Sequence, residues 1–98
     1  LGRREAALKD AQAALRLDAK PLVQYQAACV YALTSRTNPE DRSEAYRLLS
    51  KALQGGFGFD LLVTDDDLKP IRGEPEFRRL AEGAQAIRAG STLNILTR

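Results

Sequence analysis

Apolar positions recur at helical spacing along most of this chain. Between residues 3 and 17, Ala7, Leu8, Ala11, Ala14 and Leu15 share one stripe while Arg4, Lys9 and Arg16 fall outside it, so the 3.6-residue period predicts a first amphipathic helix. Asp18-Ala19-Lys20-Pro21 ends it, and Pro21 can open the next helix because its missing N–H is not needed there. A second helix is predicted over 22–35. After the turn Asn38-Pro39-Glu40-Asp41, the spacing of Ala45, Leu48, Leu49, Ala52 and Leu53 predicts a third over 40–54, stopped at Gly55-Gly56 by a left-handed C-terminal cap. A short helical turn follows near Asp60–Val63, then a turn through Thr64–Pro70. The last helix opens at Pro75, carries Phe77, Leu80, Ala81, Ala84 and Ile87 on one face and Arg78, Arg79, Glu82 and Arg88 on the other, and is expected to end near Ala89, before Gly90. The pattern predicts an all-α chain.

Two of these segments repeat. Ala7, Ala11 and Ala14 have the spacing of Ala45, Leu49 and Ala52, and the offset becomes 34 residues once four extra loop residues are set aside. A fixed period of this length indicates stacked antiparallel helical hairpins. After residue 54 the period fails, since it would place Asp66 and Asp67 where small apolar residues belong. Residues 60–89 are therefore the candidate cap of a single domain over 1–90, with 91–98 as a tail.

Tyr25, Ala28, Cys29 and Ala32, followed by Ala45, Leu49 and Ala52, resemble the signature of the tetratricopeptide repeat family, and Leu15-x-Leu17-Asp18 resembles the end of a preceding repeat. Ala32 stands where the family has a tyrosine, Ala19 where a proline is usual, and the loop over 35–40 is long. The resemblance covers residues 3–54 and implies an α-solenoid fragment: the second helix of a partial repeat at 3–17, one full repeat at 22–54, then the cap. It also implies a non-catalytic scaffold that binds a partner protein or peptide. Residues 25–33 together with 65–77 resemble a terminal arrangement of some bacterial multidomain chains, several with serine/threonine kinase domains upstream. That implies the carboxyl-terminal repeat module of a larger signalling protein, or a regulatory fragment of a multidomain kinase; a start inside a helix with no methionine fits a piece of a longer chain, and a cytoplasmic location is expected. A third reading is a structural element that joins copies of a larger chain, for instance as a homodimer through the first helix.

In that family the first helix of a hairpin lines the concave face. On the second helix here, Val23, Gln26, Val30, Leu33 and Thr34 lie roughly 130° around from the Tyr25 stripe at about 100° per residue. The resemblance makes them the candidate partner groove: Val23, Val30 and Leu33 give apolar contact, while Gln26 and Thr34 fix orientation. They lack the lysine and asparagine with which one subgroup grips a peptide carboxylate, so no such clamp is expected. The competing expectation is that Val30 and Leu33 are covered by the last helix or by a neighbouring repeat.

Composition narrows the chemistry further. Fifteen basic and thirteen acidic side chains give a net charge of +2 and alternate along the helices, which argues against nucleic acid or an anionic membrane as partner. With no histidine, the commonest general base is missing and no activator stands beside the single Cys29, which fits core packing and a reducing compartment; no catalytic residue, cofactor, metal or small-molecule substrate is expected. Asp65-Asp66-Asp67 does not make a calcium loop, because Lys69 and Pro70 occupy the positions of a ligand and a glycine; helix capping from Thr64 is the expected role. Gly55-Gly56-Phe57-Gly58 lacks the Gly-Lys-Ser/Thr of a phosphate loop, and Arg3-Arg4 and Arg78-Arg79 are expected on a solvated face. The tail, with Leu93, Ile95 and Leu96, is expected to leave the helical pattern as a disordered or extended segment or the start of a further one; a sharper expectation docks it on an apolar face of its own chain or of a second copy.

Overall fold

The computed structural model describes residues 2–97, with side chains through residue 86. Helices α1 (Arg3–Leu17), α2 (Pro21–Thr34) and α3 (Asp41–Gln54) are followed by two single-turn 3-10 helices, Phe59–Leu61 and Asp66–Leu68, then by α4 (Lys69–Arg72) and α5 (Pro75–Thr97). The described residues contain no strand, and the protein is all-α.

Helix α2 is the central element, packing on α1, α3, the second 3-10 turn and α4. Its composition explains this. Tyr25, Ala27, Ala28, Cys29, Tyr31 and Ala32 are all buried, so apolar residues cover most of its circumference, and the small ones let neighbouring helices approach closely. Pro21 occupies its first turn, as the spacing predicts. Helix α3 buries Ala45, Tyr46, Leu48, Leu49, Ala52 and Leu53 on one face. Helix α1 buries only Ala11, with Leu8 and Leu15 packed partly against the core.

The left-handed cap at the end of α3 is present. Gly56 has φ +90°, its N–H donates to the Leu53 carbonyl at 2.9 Å, and the Phe57 N–H reaches back to Ala52 at 3.0 Å, which is the Schellman pairing. That cap delivers Phe57 edge-on to Tyr25, with ring centroids 5.5 Å apart. Gly58, at φ +106°, passes so close to the same ring that a Cβ there would lie 2.9 Å from Tyr25 Cδ2.

Beyond α3, Leu62, Leu68, Ile71, Phe77 and Ala84 are buried in the same core as α2 and α3. Two local expectations change. Asp65, not Thr64, caps the second 3-10 turn: its Oδ1 accepts the Asp67 N–H at 2.9 Å, whereas the Thr64 hydroxyl donates to the Asp60 carbonyl. A carboxylate is always an acceptor, whereas the Thr64 hydroxyl is engaged as a donor to Asp60. Helix α5 continues past Gly90 to Thr97. A glycine disfavours a helix by only about 1 kcal/mol relative to alanine, and no proline follows to enforce a stop. The side chains of Ile87, Leu93, Ile95 and Leu96 lie outside the described residues, as does the proposed docking of that segment.

Candidate functional site

The five positions of the α2 stripe do not share one environment. Val23, Gln26 and Val30 line a trough of about 340 Å³ whose opposite wall is α1, through Ala7, Asp10, Ala11 and Ala14. Both valines are half-buried and Gln26 is exposed, so the trough has apolar flanks and an amide at its mouth. Leu33 is 39% exposed and lies one turn further, in a smaller recess of about 210 Å³ that it shares with Gln26, Val30, Cys29 and Asp65. Helix α5 packs on α3 and α4, leaving Leu33 open.

Thr34 belongs to neither recess. Its hydroxyl donates to Asp41 Oδ2 at 2.7 Å, and Arg4 grips the same carboxylate through Nε at 2.9 Å and Nη2 at 2.7 Å. Asp41 is buried, and the Arg4 hydrogen bonds, outweighing burial, hold its carboxyl below the usual carboxylate range. The trio fastens the start of α1 to the α2–α3 connection, so Arg4 is a structural partner and leaves the solvated face expected for it. A second polar link, from Gln12 Nε2 to the Tyr31 hydroxyl at 3.1 Å, joins the same two helices.

On the other side of α2, the Tyr25 hydroxyl donates to Asp65 Oδ2 at 2.6 Å, and Cys29 Sγ lies 3.8 Å from that oxygen. The Tyr25 bond leads the causes that lower the Asp65 pKa. Burial first, then the Asp65 hydrogen bond, raises Tyr25; burial and the Asp65 charge push the Cys29 thiol up to about 12. Donor atoms of Cys29, Asp65 and Asp67 lie within 4.8 Å of one another. Their chemistry suits a joint better than a metal centre, because a ligating thiol must lose its proton and Asp65 Oδ2 already accepts from Tyr25. The same shift leaves Cys29 a poor nucleophile at neutral pH.

No family model, curated protein or solved structure matches this chain. No helix among the described residues is long and apolar enough to cross a membrane.

Sequence reasoning missed one feature altogether, a larger recess of about 530 Å³ between α3 and α5. It depends on how two helices distant in sequence are placed side by side, which periodicity does not encode. The available signal was Gly83, a glycine in the middle of an otherwise well-patterned helix.

Proposed function

We propose that this protein is a non-catalytic interaction module of tetratricopeptide-like helical hairpins, and that it binds a short apolar segment of a partner protein along α2. The trough of about 340 Å³ between α1 and α2 carries the reading, because Val23 and Val30 face small alanines there and Gln26 stands at the mouth to orient a peptide backbone. The burial of Tyr25, Ala28, Cys29, Ala32, Ala45, Leu49 and Ala52, the positions that carry the family resemblance, supports a hairpin packed in the manner of that family. A buried thiol with its pKa pushed up to about 12, in a chain without histidine, supports the non-catalytic part.

The test is selection of binding peptides from a displayed library against the whole chain, followed by titration of the selected peptides against Val30→Asp and Leu33→Asp. Affinity is expected to fall on the order of tenfold or more while the circular-dichroism spectrum is unchanged. Peptides that bind both variants as well as the parent chain would move the site off α2.

A second reading, self-assembly through α1, draws on Leu17, which is 88% exposed next to a connection that also leaves Leu22 46% exposed. Light scattering over a concentration series decides it. A monomer at high concentration excludes that role, whereas a dimer lost in Leu17→Lys supports it.

A further inference from the structure

The two recesses beside α2 meet along a shared ridge. Gln26 and Val30 line both the trough against α1 and the smaller recess against the second 3-10 turn, so apolar surface continues from the α1 alanines over Val30 to Leu33. The charged residues on this surface are all of one sign. Asp10 stands on the α1 wall and Asp65 and Asp67 on the opposite wall, and no lysine or arginine lines either recess. Arg3 and Arg36, at the start of α1 and just past the end of α2, lie outside both. The net charge of +2 hides this local excess of acid.

We propose that the segment bound along α2 is apolar at its centre and carries lysine or arginine on both flanks. The inference rests on the function proposed above and names the chemistry of its partner.

The three acids differ in what they have left to offer. Asp65 is occupied, accepting from the Tyr25 hydroxyl through Oδ2 and from the Asp67 N–H through Oδ1, and it adds negative charge to its wall without being free to turn outward. Asp10 and Asp67 are exposed, and among the described residues neither carboxylate has an ion pair or a hydrogen bond. Each is therefore available to a cation brought by the partner.

Geometry asks for a cation on each side. A helix with its side chains is about 10–12 Å across, close to one Debye length at about 0.1 M salt, so a cation over one wall of α2 senses little of the other. Exposed ion pairs are individually weak, and charge here acts mainly by discrimination: a basic flank is attracted by its wall and an acidic flank is repelled. Contact with Val23, Val30 and Leu33 supplies the affinity common to any apolar centre.

The experiment uses the whole chain and two labelled synthetic peptides of equal length and identical apolar centre, one with lysines on both flanks and the other with glutamates. Fluorescence anisotropy reads binding. The lysine peptide is expected to bind saturably and on the order of tenfold tighter than the glutamate peptide, with the difference shrinking in about 1 M salt. Asp10→Asn combined with Asp67→Asn, two exposed positions, should reduce the difference to about threefold or less. Equal binding of both peptides, a preference unmoved by the double variant, or no saturable binding of the lysine peptide would each overturn the inference.

A neutral change on the ridge tests the underlying reading separately. Val30→Gln should weaken both peptides alike, and Leu33→Gln, at a more exposed position, repeats the test if the first variant does not fold. Weakening of both peptides without a lysine preference keeps the α2 site and removes its charge selectivity. A lysine preference that survives both ridge variants places basic recognition away from α2 and overturns the inference together with the reading beneath it.

Discussion

Two pieces of the protein are attached to the α2–α3 pair, and they are held by different physics. Helix α1 contributes a single fully buried side chain, Ala11, and is tied down by the Arg4–Asp41–Thr34 trio and the Gln12–Tyr31 bond. The segment after α3 contributes Leu62, Leu68, Ile71 and Phe77 to the core and adds the Tyr25–Asp65–Cys29 joint. Apolar burial does not depend on pH or geometry as charge-assisted hydrogen bonds do, so the second attachment should be the stronger and α1 the first element to loosen. The α1 wall of the α2 trough is therefore expected to open before the rest of the fold does.

The largest effect that tests this comparison is removal of apolar volume from the second attachment. Leu68 and Ile71 are completely buried, and Leu68→Ala is expected to destabilise the whole chain by about 2–5 kcal/mol, measured by urea denaturation. A loss well below that range would mean that the segment after α3 is not integrated with the core. In α1, Leu15→Ala removes a half-buried side chain and should cost much less.

Acid loosens both attachments, and alkali separates them. Asp41 and Asp65 are both lowered in the fold, the first by Arg4 and the second by Tyr25. A carboxyl with a lowered folded pKa adds stability above its unfolded value, about 3.9, and loses it as pH falls through the folded value, so both attachments weaken below about pH 4. Tyr25 and Cys29 are raised instead, both mainly by burial. Their contribution is complete below the unfolded values, about 8.5 for a thiol and about 10 for a phenol, and declines as pH climbs toward the folded values. Tyr46 on α3 is likewise raised, chiefly by burial, so the alkaline limb reports the core and the second attachment and not the Arg4–Asp41 trio. Melting temperature should fall above about pH 9, the fall should flatten in Cys29→Ala combined with Tyr25→Phe, and Arg4→Gln should leave the alkaline limb as it is. An alkaline limb unchanged in the double variant would remove the joint from the account.

Smaller and more local is the effect of Arg4→Gln itself. Amide exchange should quicken across α1 while protection in α2 and α3 is retained. Uniform loss across all three helices would show that α1 does not loosen separately.

How much of this was legible follows from the range of the interactions. The starts and ends of α1 and α3, the opening of α2 at Pro21 and the glycine cap after α3 come from local periodicity and backbone preference, and the structure keeps them within a residue or two. The two joints do not. Arg4 and Asp41 are 37 residues apart, Tyr25 and Asp65 are 40, and neither pair has a local signature. Splitting of the α2 stripe has the same origin. Thr34 shares helical phase with Gln26 and Val30, but it lies at the end of α2, where the Asp41 carboxylate claims its hydroxyl. Periodicity finds a face; it takes the docking of another element to decide which residues on that face remain open.

The smallest effect concerns Cys29, and it reports opening of the second attachment directly. The thiol is buried beside Asp65, with its pKa pushed up to about 12, so iodoacetamide at pH 8 should modify it far more slowly in the folded chain than in urea. Tyr25→Phe removes the hydroxyl that holds Asp65 without emptying the ring's place against Phe57. It should speed alkylation and lower the melting temperature by several degrees, because a hydrogen bond to a carboxylate is lost, whereas Arg4→Gln should not change the alkylation rate at all. If Arg4→Gln exposed the thiol as much as Tyr25→Phe did, loosening of α1 would spread through α2 to the other side, and the two attachments would have to be treated as one.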